Sequence, residues 1–138
     1  MQIELSKKEF RLLLDMVYIG NWVLNSTRGE DRFKPYDDLE SKLFGLSREQ
    51  GMKILVEKWN GEDVPSKAYC DGGIHEAIAY YEDNVLYEIL AEELSRRDMQ
   101  YPEINEDNYD EIIGRMDSYM SEFRASGVDH LVLEESCT

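Results

Sequence analysis

Ser6-Lys7-Lys8-Glu9-Phe10-Arg11-Leu12-Leu13-Leu14-Asp15-Met16-Val17-Tyr18-Ile19-Gly20-Asn21-Trp22-Val23-Leu24-Asn25 sets the fold class. Its first four residues form a capping box. The Ser6 hydroxyl can accept from the Glu9 amide while the Glu9 carboxylate reaches back to the Ser6 amide, so a helix starts here. On a wheel of about 100° per residue, Phe10, Leu12, Leu13, Met16, Val17, Ile19, Val23 and Leu24 fill an arc of about 180°. An arc that wide predicts a central helix with this side inward. The opposite side carries Lys7, Arg11, Asp15, Tyr18, Asn21, Trp22, Asn25 and Arg28, with Gly29 as a C-terminal stop.

Beyond this helix, Pro35 suits the first turn of a second, in which Tyr36, Leu39 and Leu43 share a face before Gly45 ends it. Ser47-Arg48-Glu49-Gln50 is another capping box. Met52, Leu55, Val56 and Trp59 follow it at helical spacing, although the alternation of Met52, Ile54 and Val56 also reads as a strand. Asn60 to Gly73, with three Gly and one Pro, reads as an irregular connection. Ile74, Ala77, Ile78 and Tyr81 mark a further helix. Leu86, Ile89, Leu90 and Leu94 mark the next, with Arg96 and Arg97 in its last turn; the two could equally be one kinked helix. Tyr109, Ile112, Ile113, Met116, Met120 and Phe123 form the cleanest stripe, closed by Gly127. Val128 to Leu133 reads as a short strand, placed against Gln2 to Leu5 so that the two ends of the chain are tied. The expectation is a mainly α, single globular domain over residues 1–138, with about five or six helices and a small two-stranded sheet from the terminal segments.

The chain carries 15 Lys and Arg against 30 Asp and Glu, a formal charge of −15. Such a field repels a phosphate backbone and argues against direct nucleic-acid binding. The longest apolar stretch, Leu12 to Leu24, is broken by Asp15 and Asn21 and falls short of the ~20 residues of a membrane span. The first residues lack a basic start followed by an apolar core, and Cys70 and Cys137 are isolated, which together predict a cytoplasmic protein with free thiols.

Val85-Leu86-Tyr87-Glu88-Ile89-Leu90-Ala91-Glu92-Glu93-Leu94-Ser95-Arg96-Arg97-Asp98-Met99 resembles a segment found in a family of small uncharacterised bacterial proteins. There the pattern is an aromatic pair, an acidic residue, Leu, a basic residue, Leu, then Arg-Asp and an apolar residue. The likeness extends to the preceding His75-Glu76 helix and departs at Leu86-Tyr87 and at Glu93. That family has no assigned activity, so the resemblance implies a bacterial, mostly helical protein and transfers no site residue.

Motifs for chemistry are sparse. A di-iron site needs Glu three residues before His, yet Gly72 and Gly127 occupy those places before His75 and His130. Cys70, His75, His130 and Cys137 have the composition of a zinc site without its usual spacing. Asn105 to Glu111 is acidic but lacks the central Gly of a calcium loop, and Gly72-Gly73 has no Lys or Ser/Thr to make a phosphate loop. No cofactor is therefore expected. Two features point to a partner. Tyr18, Trp22 and Arg28 share one side of the first helix, and Tyr, Trp and Arg are the usual anchors of interfaces; the alternative is that another helix covers this side and buries the aromatic residues as ordinary core. Glu88, Glu92 and Glu93 belong to an acidic surface suited to a basic partner, or serving solubility alone. The sequence thus favours a noncatalytic module that binds a protein or itself. It leaves open a nucleic-acid-mimicking inhibitor, and an enzyme or small-ligand binder whose site gathers His75, Cys70 and nearby carboxylates from distant positions.

Overall fold

In a computed structural model, which describes residues 1–135, the protein is mainly α-helical with one small antiparallel sheet, the class expected from the sequence. The order is α1 (Lys7–Asn25), α2 (Lys34–Gly45), β1 (Val56–Trp59), β2 (Glu62–Pro65), a single turn α3 (Lys67–Tyr69), α4 (His75–Asp98) and α5 (Tyr109–Ser126). Among the described residues four helices exceed one turn, slightly fewer than the five or six expected. The chain divides into two compact units, Met1–Ile78 and the residues from Ala79 onward.

In the first unit, α1 begins at the capping box: the Glu9 amide donates to Ser6 Oγ at 3.3 Å and the Ser6 amide to Glu9 Oε2 at 2.8 Å. Its inward side shares only Phe10 with the apolar arc and is centred elsewhere. Phe10, Leu14, Asn21 and Asn25 are buried, whereas Leu12, Met16 and Val23 are 62%, 72% and 69% exposed. The centre of burial lies about 120° around the wheel from the arc centre. Phe10, Leu14, Tyr18 and Trp22, spaced by four, supply the stripe that packs, with Tyr18 and Trp22 at the edge of the core. The same inversion marks α2, where Phe44 is buried and Asp37, Glu40 and Ser41 are half-buried while Tyr36 and Leu39 are exposed.

The helix expected from the second capping box does not form. Leu46–Arg48 is a 3-10 turn, Gly51 takes a φ of +74°, and a second 3-10 turn at Lys53–Leu55 leads into β1. A left-handed Gly after one turn stops helix propagation. The strand alternative is closer, but it begins at Val56. The following loop, read as irregular, contains a hairpin: Trp59 pairs with Glu62 across Asn60-Gly61, both with positive φ. Asn-Gly is the residue pair that favours such a two-residue turn. The hairpin packs so closely on α2 that a Cβ at Gly45 would lie 2.6 Å from Asp63 Oδ2. Ser66 then caps α3, accepting from the Tyr69 amide at 3.1 Å, and a turn through Gly72-Gly73 delivers Ile74 and His75. Phe10, Leu14, Phe44, Val56, Tyr69, Ile74 and Ile78 form the core.

In the second unit, α4 runs as one helix to Asp98. Ala91 and Ser95 are fully buried there, Tyr87 stacks near Phe123 of α5 at 5.3 Å, and the Tyr119 hydroxyl donates to Asp98. Gln100 and Tyr101, both with positive φ, turn the chain, and the Tyr101 amide returns to the Arg96 carbonyl at 2.7 Å. Helix α5 ends at Gly127 as expected, its amide donating to the Phe123 carbonyl at 2.9 Å. The sheet expected from the two ends is absent: neither Gln2–Leu5 nor Val128–Leu133 is a strand. Asp129 donates back to the Ser126 carbonyl at 3.1 Å and Leu131 to Val128 at 3.0 Å, which spends on local turns the groups a ladder would need.

Candidate functional site

The polar residues on the inward sides of α1 and α2 are held by one network. Asn25, fully buried, donates to Asn21 Oδ1 at 2.8 Å and to the Phe33 carbonyl at 3.1 Å, and its own Oδ1 accepts from the Phe33 amide at 2.8 Å. It thereby pins the connection between α1 and α2 to the start of α2. Asn21 donates to Asp37 Oδ1 at 3.0 Å. Arg32 grips both oxygens of Asp37, Nε at 2.9 Å and Nη2 at 2.7 Å, and this bidentate pair holds the Asp37 carboxyl below its usual range.

Beside this network lies a cleft of about 320 Å³ lined by Tyr18, Asn21, Trp22, Ser26, Arg32 and Glu40. A neighbouring cleft of about 380 Å³ shares Tyr18, Arg32 and Glu40, and adds Asp37, Ser41, the β2 residues Glu62 to Pro65, and Cys70. Tyr18 stands between them. Its hydroxyl is 2.7 Å from His75 Nε2 and 3.8 Å from Cys70 Sγ, and its ring stacks on Trp22 at 6.2 Å and meets the edge of Tyr69 at 5.2 Å. The His75 ring packs edge-on against both Tyr18 and Trp22. Burial first, then Cys70, pushes the Tyr18 hydroxyl well above the usual phenol range, so it stays protonated.

Glu40 is the unusual group. Removal from water raises its carboxyl from about 4.5 to about 7, with Asp37 adding to the rise and Asn21 and Arg32 opposing it. Arg32 is engaged by Asp37, and among the described residues no Lys, Arg or His forms an ion pair with Glu40. A carboxyl with such a pKa, in a cleft, can hold or release a proton near neutral pH.

Of the residues singled out in the sequence, Tyr18 and Trp22 come together as the wall of this cleft. Arg28 does not join them: its Nε donates to the Leu24 carbonyl at 2.9 Å, Nη1 pairs with Asp31 at 3.0 Å, and its guanidinium covers the Phe33 ring. Cys70 and His75 both reach Tyr18. In the second unit, Glu88 and Glu92 border a groove of about 370 Å³ over Ile89, Ile113, Met116 and Met120, whereas Glu93 is exposed outside it. His130 bonds Glu122 at 2.5 Å, and Cys137 lies outside the described residues. Among the described residues, no group of three or more His, Cys, Asp or Glu is placed to hold a metal. Glu40, Arg32 and Asp37 were missed by sequence reasoning. The available signal was that Asp37, Glu40 and Phe44 fall at i, i+3 and i+7 of a short helix.

No protein-family model, curated protein or solved structure matches this chain. No helix among the described residues is long and apolar enough to cross a membrane.

Proposed function

We propose that the protein is a noncatalytic binding module whose site is the Tyr18–Glu40 cleft, and that it takes a small polar ligand there. The observation that carries this reading is Glu40, half-buried in a cleft and without a cationic partner among the described residues. A desolvated carboxyl costs stability unless something uses it. The Tyr18 hydroxyl, held protonated, supplies hydrogen bonding to a ligand in the cleft. Isolated Cys70 fits a reducing, cytoplasmic setting. A thermal-shift screen of small polar compounds, followed by mapping of amide and indole resonances, tests the reading. Stabilising compounds should move the signals of Tyr18, Trp22 and Glu40, and compounds that move only other residues would count against it.

A second reading, a module binding a protein partner or a second copy, is favoured by the uncovered arc of α1, where Leu12, Met16 and Val23 are exposed. The acid-bordered apolar groove of the second unit points the same way. A nucleic-acid mimic draws less support. Its row of carboxylates would have to be continuous, and here Glu92 pairs with Arg96 at 2.8 Å and Glu111 with Arg115 at 2.9 Å. The net charge of −15 argues against binding nucleic acid directly.

A further inference from the structure

The charges around the cleft do not balance. Arg32 is the cation of its lining, and its guanidinium is engaged by Asp37. Asp63 is compensated by Arg48 and by Lys58 at 3.2 Å. Glu40, which lines both clefts, and Glu62, which lines the neighbouring one, form no ion pair among the described residues, although Glu40 feels Arg32 and Glu62 feels Lys34 at longer range. In the cleft of about 320 Å³ an anionic ligand would face the Glu40 carboxylate while the Arg32 guanidinium is already engaged by Asp37, whereas a cation would supply Glu40 with a partner. The same cleft of about 320 Å³ is lined by aromatic residues, with Trp22 half-buried and stacked on Tyr18. Aromatic faces carry negative potential and attract ammonium groups. We infer that the cleft takes a small organic cation, an ammonium group on an apolar or aromatic arm, with the Glu40 carboxylate as counter-ion and Trp22 and Tyr18 as the wall. This inference rests on the reading of the cleft as a binding site. Its volume of about 320 Å³ sits at the small end of ligand cavities.

Cation binding and protonation of Glu40 compete for the same carboxyl. With that group titrating near 7, its ionised fraction rises about tenfold between pH 6 and pH 8, and affinity should rise with it. The test is calorimetric titration of the full chain with phenethylammonium, tetramethylammonium and benzoate at both pH values, repeated on Glu40→Gln and Glu62→Gln. Near-UV circular dichroism checks that each variant keeps the parent fold. The expected result is that phenethylammonium binds about tenfold tighter at pH 8 than at pH 6. Glu40→Gln should lose at least about tenfold at pH 8 and abolish the pH dependence, while Glu62→Gln, on the exposed rim, should change affinity by less than about threefold. Benzoate binding in place of the two cations would overturn the ligand class and leave the cleft as a binding site. Cation binding unaffected by Glu40→Gln would overturn the role of Glu40. Binding by none of the probes, with Trp22 and Tyr18 resonances unmoved, would overturn both the class and the site.

Discussion

Glu40 shows how a single inward carboxyl reports on its surroundings. Below about pH 4.5 it is neutral in the folded and the unfolded chain alike. Between about 4.5 and 7 the folded state keeps the proton that the unfolded state has lost, so stability falls as pH rises through that window. Glu40→Gln should therefore match the parent at pH 4.5 and exceed it at pH 8. The shift alone sets a ceiling of about 3 kcal/mol, and screening at the open side of the cleft brings the expected gain nearer 2 kcal/mol. Denaturant titrations at the two pH values measure the difference. Ser47 makes the opposite point. It looks like an N-cap in the sequence, yet it is fully buried in a 3-10 turn with no partner for its hydroxyl. Ser47→Ala removes an unsatisfied group and should stabilise the protein by up to about 1 kcal/mol in the same assay.

At the scale of elements, the start of α1, the end of α5 and the inward stripe of α5, with Ile112 and Phe123 buried, were legible, and the inward side of α1 was not. The Ser6 box and the Gly127 stop are local chemistry, fixed by residues within one turn. Which side of α1 turns inward depends on what packs there. Tyr18 and Trp22 join a stripe with Phe10 and Leu14, and the polar residues between them are held by the Asn21–Asn25–Asp37–Arg32 network. Hydrophobic periodicity counts Asn21 and Asn25 as outward because it cannot see their hydrogen bonds. Two substitutions separate the sides. Leu14→Ala should cost about 2–5 kcal/mol, as for a buried core leucine. Met16→Gln should change stability by less than about 0.5 kcal/mol. Thermal or denaturant unfolding would show the reverse order if the apolar arc faced inward. The Asn60-Gly61 turn was readable and went unread, since two strands of four residues each carry little alternation of their own. Gly61, with a φ of +82°, should lose about 1 kcal/mol or more on substitution by Ala, measured by the same unfolding curves.

For the molecule as a whole, composition excluded more than it identified. A charge of −15 speaks against phosphate backbones and says nothing about a cleft, because the site depends on a few side chains brought together from α1, the connection to α2, α2 itself and the start of α4. Tyr18 and Trp22 were legible as unusual, although the feature that gives them a use, Glu40 beside them, needed the packing of α1 on α2. A carbon-13 titration of the Glu40 side-chain carboxyl in the intact chain, assigned with Glu40→Gln, tests that juxtaposition. The expected midpoint is near 7, well above that of an exposed carboxyl. A midpoint near 4.5 would place Glu40 in open water and contradict the cleft as described.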